Sequence, residues 1–260
     1  MISRRTETLE QYERAVRLWQ SHPIPSAAEL DKSLETFRIL FAYHSGKIED
    51  EAVTYQDTKD IFQSNKVYNY TGNPKAILKQ RNQKLCYVFL KNKIVWNAPL
   101  SLGLILETHR ILTEGSYNEW YLEKGELPGE FKKHDFPDAV WGSPAESAAS
   151  DLKALLLEIN VCRDQNILKS GTFFHGNFEI IRPFADGNGR VGRSLLNYYL
   201  IAHRYPPLVI YSEDKRQYYG CLKKYEKNKD LDPLYEFFKY ETGKTWENAL
   251  LLCGGKKQLG

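Results

Sequence analysis

Apolar residues recur at helical spacing along most of the chain, and the polar interruptions between them carry helix start and stop signals. The first run covers residues 6–20, with Leu9, Tyr12, Val16 and Leu18 or Trp19 as its apolar members, and His22-Pro23-Ile24-Pro25 ends it. Ser26 can cap a second helix running to about Tyr43, with Leu30, Leu34, Phe37, Leu40 and Phe41 toward the core. Thr54-Tyr55-Gln56-Asp57 is a capping signal for a short helix to about Gln63, and Tyr68 to Pro74 is a turn-rich connection that fits a strand pair or a loop. Pro74 opens a long helix through about Lys91, with Ile77, Leu78, Leu85, Val88 and Phe89 facing inward. Ser101 starts another, carrying Leu102, Ile105, Leu106 and His109 on or near one face.

From Thr113 to Gly142 the helical period is lost and Gly115, Gly125, Pro128, Gly129, Pro137 and Gly142 punctuate the chain. Ser143-Pro144-Ala145-Glu146 restores it: an N-cap, Pro at the first helical position and Glu at the third, followed by Leu152, Leu155, Leu156 and Ile159 to about Val161. Two further runs, from Ile167 to about Ile181 and from about Gly189 to Leu200, flank a short polar loop. Ser212 caps a helix containing Tyr218, Tyr219, Leu222 and Tyr225, and Asp232-Pro233 starts a last one with Leu234, Phe237, Phe238, Tyr240 and Trp246. The expectation is an all-α, mostly helical chain forming a single unit over 1–260, with a tail frayed from Gly254.

Composition narrows the function classes. The balance of 42% hydrophobic and 27% charged residues is that of an ordinary globular protein. A net charge of +3 is too weak to argue for nucleic acid or membranes as partners. No stretch of 18 apolar residues predicts a membrane span, and the N-terminus lacks the apolar core of a secretion signal. Cys86, Cys162, Cys221 and Cys253 are far apart and form no CxxC pair, which suits reduced thiols in a cytoplasmic protein.

The candidate chemistry lies in the polar loop, Asp186-Gly187-Asn188-Gly189-Arg190. Gly187 and Gly189 allow backbone angles that let successive N–H groups point into one concavity. The first N–H groups of the helix that follows lack internal partners, and its dipole favours an anion there. Arg190 and Arg193 share a face beside that anion site, and guanidinium groups suit paired contacts to phosphate oxygens. Asp186 would be repelled by bare phosphates unless a hard cation such as Mg²⁺ bridged them, so the loop suggests a magnesium–polyphosphate site. A Gly-Asn-Gly turn with solvated arginines is the bland alternative. However, DGNGR followed after two intervening residues by Arg specifies six positions, expected by chance in about two windows per hundred million at ~5% per residue type.

These residues resemble the signature of the Fic family: histidine, any residue, Phe, any residue, Asp or Glu, then GNGR and a second Arg after two more. The chain matches at Phe184, Asp186, Gly187, Asn188, Gly189, Arg190 and Arg193, and carries Arg182 where the family has its histidine. The resemblance extends from about Ala42 to Leu250. It implies a Fic fold with one small β-hairpin flap, divided into an N-terminal helical region (about 1–95), a Fic core (about 98–206) and C-terminal helices (about 207–260).

The activity implied is adenylyl transfer from ATP to a Ser, Thr or Tyr hydroxyl of a protein, either another protein or the chain itself. Family roles place Mg²⁺ on Asp186 and the α- and β-phosphates on Gly187, Asn188, Gly189 and Arg190, with the γ-phosphate on Arg193. The proton-acceptor role does not transfer, because arginine stays protonated. Arg182 can still add positive charge beside the nucleotide. Loss of a general base typically costs about 10²–10⁴-fold, so the expectation is an intact nucleotide site with crippled transfer.

Two other stretches gain meaning from the resemblance. Ser45-Gly46-Lys47-Ile48-Glu49-Asp50 reads by itself as a helix end, but it resembles the family's inhibitory pattern, with Asp50 departing at the last position. Ser45 and Glu49 share a helical face, and the resemblance implies that Glu49 pairs with Arg193 and competes with the γ-phosphate. Phe131, Lys132, Lys133 and His134 read as a solvated loop or, by resemblance, as the flap that aligns a target segment by main-chain hydrogen bonds; Pro137 does not suit its return strand. His109 and His175 are read as packing residues, and one of Tyr218, Tyr219 and Tyr225 as a candidate to lie against adenine. An oligomer is compatible with the sequence. Three functions remain open: an autoinhibited, impaired adenylyltransferase; a non-catalytic ATP-binding regulator; and removal of nucleotide from a modified protein, with Glu49 orienting water.

Overall fold

The computed structural model describes residues 2–22, 24, 26–49, 52–68, 70–136, 142–161 and 166–254. The elements in order are α1 (Ile2–Ser21), α2 (Ala27–Ser33), α3 (Glu35–Ile48), α4 (Tyr55–Ser64), α5 (Pro74–Val95), α6 (Leu102–Thr113), α7 (Glu119–Glu123), α8 (Ala145–Val161), α9 (Ile167–Ile181), α10 (Asn188–Ala202), a 3₁₀ turn (Ser212–Asp214), α11 (Lys215–Asn228) and α12 (Asp232–Gly254). The fold is all-α, and the expected flap hairpin is not seen: no strand occurs among the described residues, and the return segment 137–141 lies outside them. None of these helices is long and apolar enough to cross a membrane. Cys86 and Cys221 are free, buried thiols.

The centre of the molecule is the helical hairpin α9–α10. Its two arms run antiparallel: Gly171 near the start of α9 faces Leu196, Tyr199 and Leu200 at the end of α10, while Gly192 faces His175, Phe178 and Glu179. Nearly every residue of α10 from Asn188 to Leu200 is buried. One of its sides meets α6, α8 and α9 through Leu104, Leu152, Leu155, Phe174, Phe178 and Leu195. The other meets the C-terminal helices through Leu196, Leu200, Tyr218, Leu234 and Phe238. A helix buried all round must satisfy its polar side chains internally. Asn197 does so by taking the Leu208 N–H at 2.8 Å and donating to the Leu208 carbonyl at 2.9 Å, which clamps the buried segment 205–211 onto α10.

Several local readings need correction. The helix expected from Ser26 to Tyr43 is two helices: Ser26 does cap α2, accepting the Glu29 N–H, but the backbone bends at Leu34 (φ −105°, ψ 11°) so that Leu30 and Leu34 both reach the core. The capping box at Thr54 and Asp57 forms as expected. Helix α5 buries the predicted stripe only in part: Ile77 and Phe89 pack against core clusters. Leu85 and Val88 are exposed, while Gln80, Asn82, Gln83, Cys86 and Leu90 are buried. Its inward face is partly polar because it supplies hydrogen bonds to neighbouring elements: Asn82 to the Glu114 carbonyl (2.8 Å) and Gln83 to the Ser45 hydroxyl (3.3 Å). At α8 it is Asp135, ten residues upstream, that accepts the Ala145 N–H (2.8 Å). Helical periodicity cannot anticipate such long-range partners.

The two faces of α5 should respond differently to truncation. Leu90→Ala should cost about 2–5 kcal/mol in urea denaturation, whereas Leu85→Ala should stay within about 0.5 kcal/mol of the parent; the periodicity of the sequence predicts the opposite for Leu85.

Candidate functional site

The loop between α9 and α10 is held by its own side chains. α9 ends on Arg182 in the left-handed region (φ 47°, ψ 65°), with its N–H on the Phe178 carbonyl. Asn188 then clamps the turn, its Oδ1 accepting the Phe184 N–H at 3.0 Å and its Nδ2 donating to the Phe184 carbonyl at 2.7 Å. Both polar atoms of this side chain are occupied, so only its backbone N–H remains for a ligand. Gly187, at φ 80°, starts α10, and no side chain caps that helix. A Cβ on Gly187 would lie 2.7 Å from Thr113 Cγ2, and one on Gly189 would lie 2.7 Å from Glu49 Oε1 and 2.9 Å from Arg193 Nη1. Glycine at 187 therefore serves backbone angle and close approach, and at 189 it opens the helix N-terminus to charged groups.

The charged groups converge there. The carboxylate of Asp186 is about one-third exposed; its Oδ1 accepts the Gly187 N–H at 2.6 Å and its Oδ2 lies 3.8 Å from Arg190 Nη2. Arg190 is buried and donates to the Leu112 carbonyl at 2.9 Å. Arg193 is only 1% exposed. It donates from Nε to Ser45 Oγ (3.0 Å) and from Nη2 to both the Ser45 carbonyl (3.1 Å) and Glu49 Oε1 (2.7 Å). Its buried Nη1 has no hydrogen-bond partner. The structure thus brings together Ser45, Glu49, Asp186, Gly187, Gly189, Arg190 and Arg193; Asp50 lies outside the described residues.

The electrostatics follow from this geometry. Burial alone would raise the Glu49 carboxyl, but the charge and hydrogen bond of Arg193, with Arg190 and Lys79 adding, hold it below the usual carboxylate range. Burial disfavours the Arg193 charge in turn, and Glu49 restores it so that the guanidinium is held more firmly protonated than usual.

Glu179 is a site residue that the sequence reading missed. Burial pushes its carboxyl up to about 7 against the opposing charges of Arg193 and Arg182. With Arg182, Tyr219, Leu222 and Lys223 it lines an open cavity of about 250 Å³ beside the phosphate-type loop. The available signal was a lone carboxylate among Phe174, Phe178, Ile180 and Ile181, one turn before the motif. Of the tyrosines on α11 it is Tyr219 that lines this cavity, whereas Tyr218 is buried on His175 at 2.7 Å. Burial lowers His175 to about 3, in keeping with a neutral packed ring.

Segment 131–134 lies along the motif. Phe131 stacks near Phe184 (ring centroids 6.2 Å apart), and the Lys132 N–H reaches the Pro183 carbonyl at 3.0 Å. The next two N–H groups, of Lys133 and His134, go to the buried Glu126 carboxylate at 2.9–3.1 Å, and His134 Nδ1 meets the same carboxylate at 2.9 Å. Glu126, not singled out in the sequence, therefore occupies main-chain donors that an edge strand would offer to a partner.

Could the loop hold a magnesium nucleotide? The unpartnered Arg193 Nη1 faces Gly189 at the uncapped start of α10, an arrangement that suits a phosphate oxygen. Among the described residues no group of three or more His, Cys, Asp and Glu forms a metal site of its own. A lone part-exposed carboxylate at Asp186 matches magnesium held chiefly by phosphates and water. The residues fit the group.

Comparison with known proteins bears on the fold. The fold is that of Fic proteins: it matches Fic-1 (residues 134–508) of C. elegans with a TM-score of 0.78 at 19% identity, covering 98% of this chain and 74% of that one. It also matches a Fic-domain signalling protein of Bacteroides thetaiotaomicron with a TM-score of 0.76 at 22% identity, covering 92% and 93%. Residues 99–200 match the Fic/DOC family. Among curated relatives, the protein adenylyltransferase Fic of Drosophila grimshawi is 25% identical over 214 residues and that of Drosophila yakuba 26% over 216, each match covering 78% of this chain. The matches span 41% and 40% of those relatives, so this chain corresponds to about two fifths of their length.

The Glu49–Arg193 pair makes stability depend on pH. The folded-state value of Glu49 lies below its unfolded one of about 4.3, so the pair's stabilisation is present above that value and is lost as pH falls through the lower folded one. In urea denaturation the parent should be more stable than Glu49→Gln at pH 7, and the gap should shrink steadily below about pH 4.5.

Proposed function

We propose that this chain is a Fic-type protein adenylyltransferase, restrained by Glu49 and weakened by Arg182. The reading is supported by the match of residues 99–200 to the Fic/DOC family and by similarity to relatives named as protein adenylyltransferases. The observation that carries it is Arg193: a buried guanidinium at an uncapped helix start, with one nitrogen on Glu49 and another left without a partner.

In the proposed reaction, ATP places its phosphates along the N-terminus of α10, and its nucleoside occupies the cavity lined by Glu179, Arg182 and Tyr219. A hydroxyl oxygen of the target protein forms a bond to the α-phosphorus while the bond to the bridging oxygen of the β-phosphate breaks, so that pyrophosphate leaves and AMP remains on the protein. Magnesium, held by Asp186 and the phosphates, would neutralise charge on the leaving group. The first-turn N–H groups and Arg190 would stabilise negative charge at the phosphates. The hydroxyl proton needs an acceptor at position 182, and a guanidinium provides none. Glu49 acts by competition: while its carboxylate sits on Arg193 at 2.7 Å, the γ-phosphate is deprived of that charge and repelled by the other.

Arg182 also favours a second reading, a regulator that binds ATP without transferring AMP. A third, removal of AMP from a modified protein, would draw on the part-exposed Glu49 carboxylate to orient water.

Transfer of α-labelled nucleotide by the parent, by Glu49→Gly, by Arg182→His and by Arg182→His with Glu49→Gly separates these readings. Strong labelling by the double variant, about 10²–10⁴-fold above Glu49→Gly alone, supports the transferase. ATP binding without labelling by any form supports the regulator, and release of AMP from a labelled protein supports removal. By calorimetry Glu49→Gly should bind Mg–ATP roughly tenfold more tightly, equivalent to ~1.4 kcal/mol; unchanged affinity would count against competition at Arg193.

A further inference from the structure

His109 lies outside the motif, yet its ring joins three parts of the site. It sits on α6 and is fully buried. Its Nδ1 accepts the Gly129 N–H at 2.8 Å. That nitrogen is therefore unprotonated, and Nε2 carries the hydrogen and donates it to the Asp186 carbonyl at 3.0 Å. The ring face lies flat on Phe184, with centroids 3.8 Å apart and planes within 1°. Gly129 adopts φ 85° and approaches so closely that a Cβ would lie 3.0 Å from Arg110 Cβ, which fits a backbone bent to present its N–H to the imidazole. One turn on, Thr113 donates to the His109 carbonyl at 2.7 Å and places its methyl against Gly187. Both nitrogens and one face of the ring are thus committed, all to the motif turn or to the start of segment 129–134.

We infer that His109 is a positioning residue that holds the Asp186 turn and the start of segment 129–134 in one fixed relation, so that the carboxylate meant for the nucleotide's cation and the segment meant for the target are placed together. The inference rests on the nucleotide-binding reading for its functional consequence, but the mechanical link is independent of it. His109 touches no reactant and acts through the peptide of Asp186. Losing the Nε2 hydrogen bond frees that peptide to rotate, and the carboxylate attached to it moves too. A ring kept only to fill space would make no distinction between its two nitrogens.

The two bonds can be cut separately. Asparagine places its carbonyl oxygen near the Nδ1 position and can still accept from Gly129, but it does not reach Asp186. Glutamine places its amide nitrogen near the Nε2 position and can still donate to Asp186, but it leaves Gly129 unbonded. In the Glu49→Gly background, ATP binding is measured by calorimetry with Mg²⁺ and with EDTA, amide exchange is followed at Gly129 and Gly187, and melting temperatures are recorded. His109→Asn should lose about tenfold of the Mg²⁺-dependent affinity, leave binding in EDTA unchanged, and speed exchange at Gly187 while Gly129 stays protected. His109→Gln should keep Mg²⁺-dependent affinity within about threefold and speed exchange at Gly129 alone. Equal losses in both variants that follow melting temperature, or unchanged Mg²⁺ dependence in His109→Asn, overturn the inference. If the Glu49→Gly parent binds no ATP, the nucleotide reading falls, and the exchange pattern decides the link alone: opposite effects at the two amides sustain it, and matching effects refute it.

Discussion

The structure depends on a guanidinium placed where water cannot reach it. Arg193 is almost fully buried in the middle of a helix packed on every side. A charge in such a place costs several kcal/mol unless it is paired and hydrogen-bonded. The partners do not come from its own hairpin. They come from α3, more than 140 residues earlier in the chain, where Ser45 offers both its hydroxyl and its carbonyl and Glu49 its carboxylate. The N-terminal region is therefore drawn against the motif by the electrostatic demand of one residue. Gln83 of α5 reinforces the attachment through the same serine hydroxyl.

That attachment leaves an asymmetry that matters for function. Three of the contacts to Arg193 use Nε and Nη2, while Nη1 stays buried and unpartnered. A buried unpaired donor is costly, and in the proposed function an incoming anion would satisfy it. The same carboxylate that neutralises the arginine would repel that anion, and burial raises a second carboxyl close by, Glu179, to about 7. Under the proposed function, a phosphate would have to displace one of these negative partners to enter. The contact proposed to be inhibitory and the need to stabilise a buried arginine coincide in one ion pair.

The surroundings of the motif are stiff for reasons of ordinary polar satisfaction. Asn188 closes the turn on Phe184, Arg190 reaches back to the Leu112 carbonyl of α6, and Glu126 gathers the donors of Lys133 and His134. Each is a buried polar group finding its partner. The backbone N–H groups of the α10 start, the carboxylate of Asp186 and the cavity lined by Tyr219 are where the proposed chemistry would take place. Arg182 stands at the edge of that cavity in a left-handed cap geometry, where its side chain adds charge but accepts no proton.

The sequence by itself determined the helical character, most helix starts, the capping box at Thr54 and the motif loop, because these follow from spacing and capping chemistry within a few residues. It also placed Glu49 as a partner of Arg193, but only by resemblance; nothing in the spacing of residues 49 and 193 implies their contact. Tertiary structure alone decided which face of α5 is buried, since Gln83 and Asn82 point inward to serve Ser45 and Glu114, overriding the apolar stripe of Leu85 and Val88. It likewise decided that Asp135 caps α8, that Glu126 holds the segment before it, and that His109 spans the motif turn and Gly129. These partners are remote in sequence, and hydrogen-bond demand in a buried site is settled by whatever the packing brings within 3 Å.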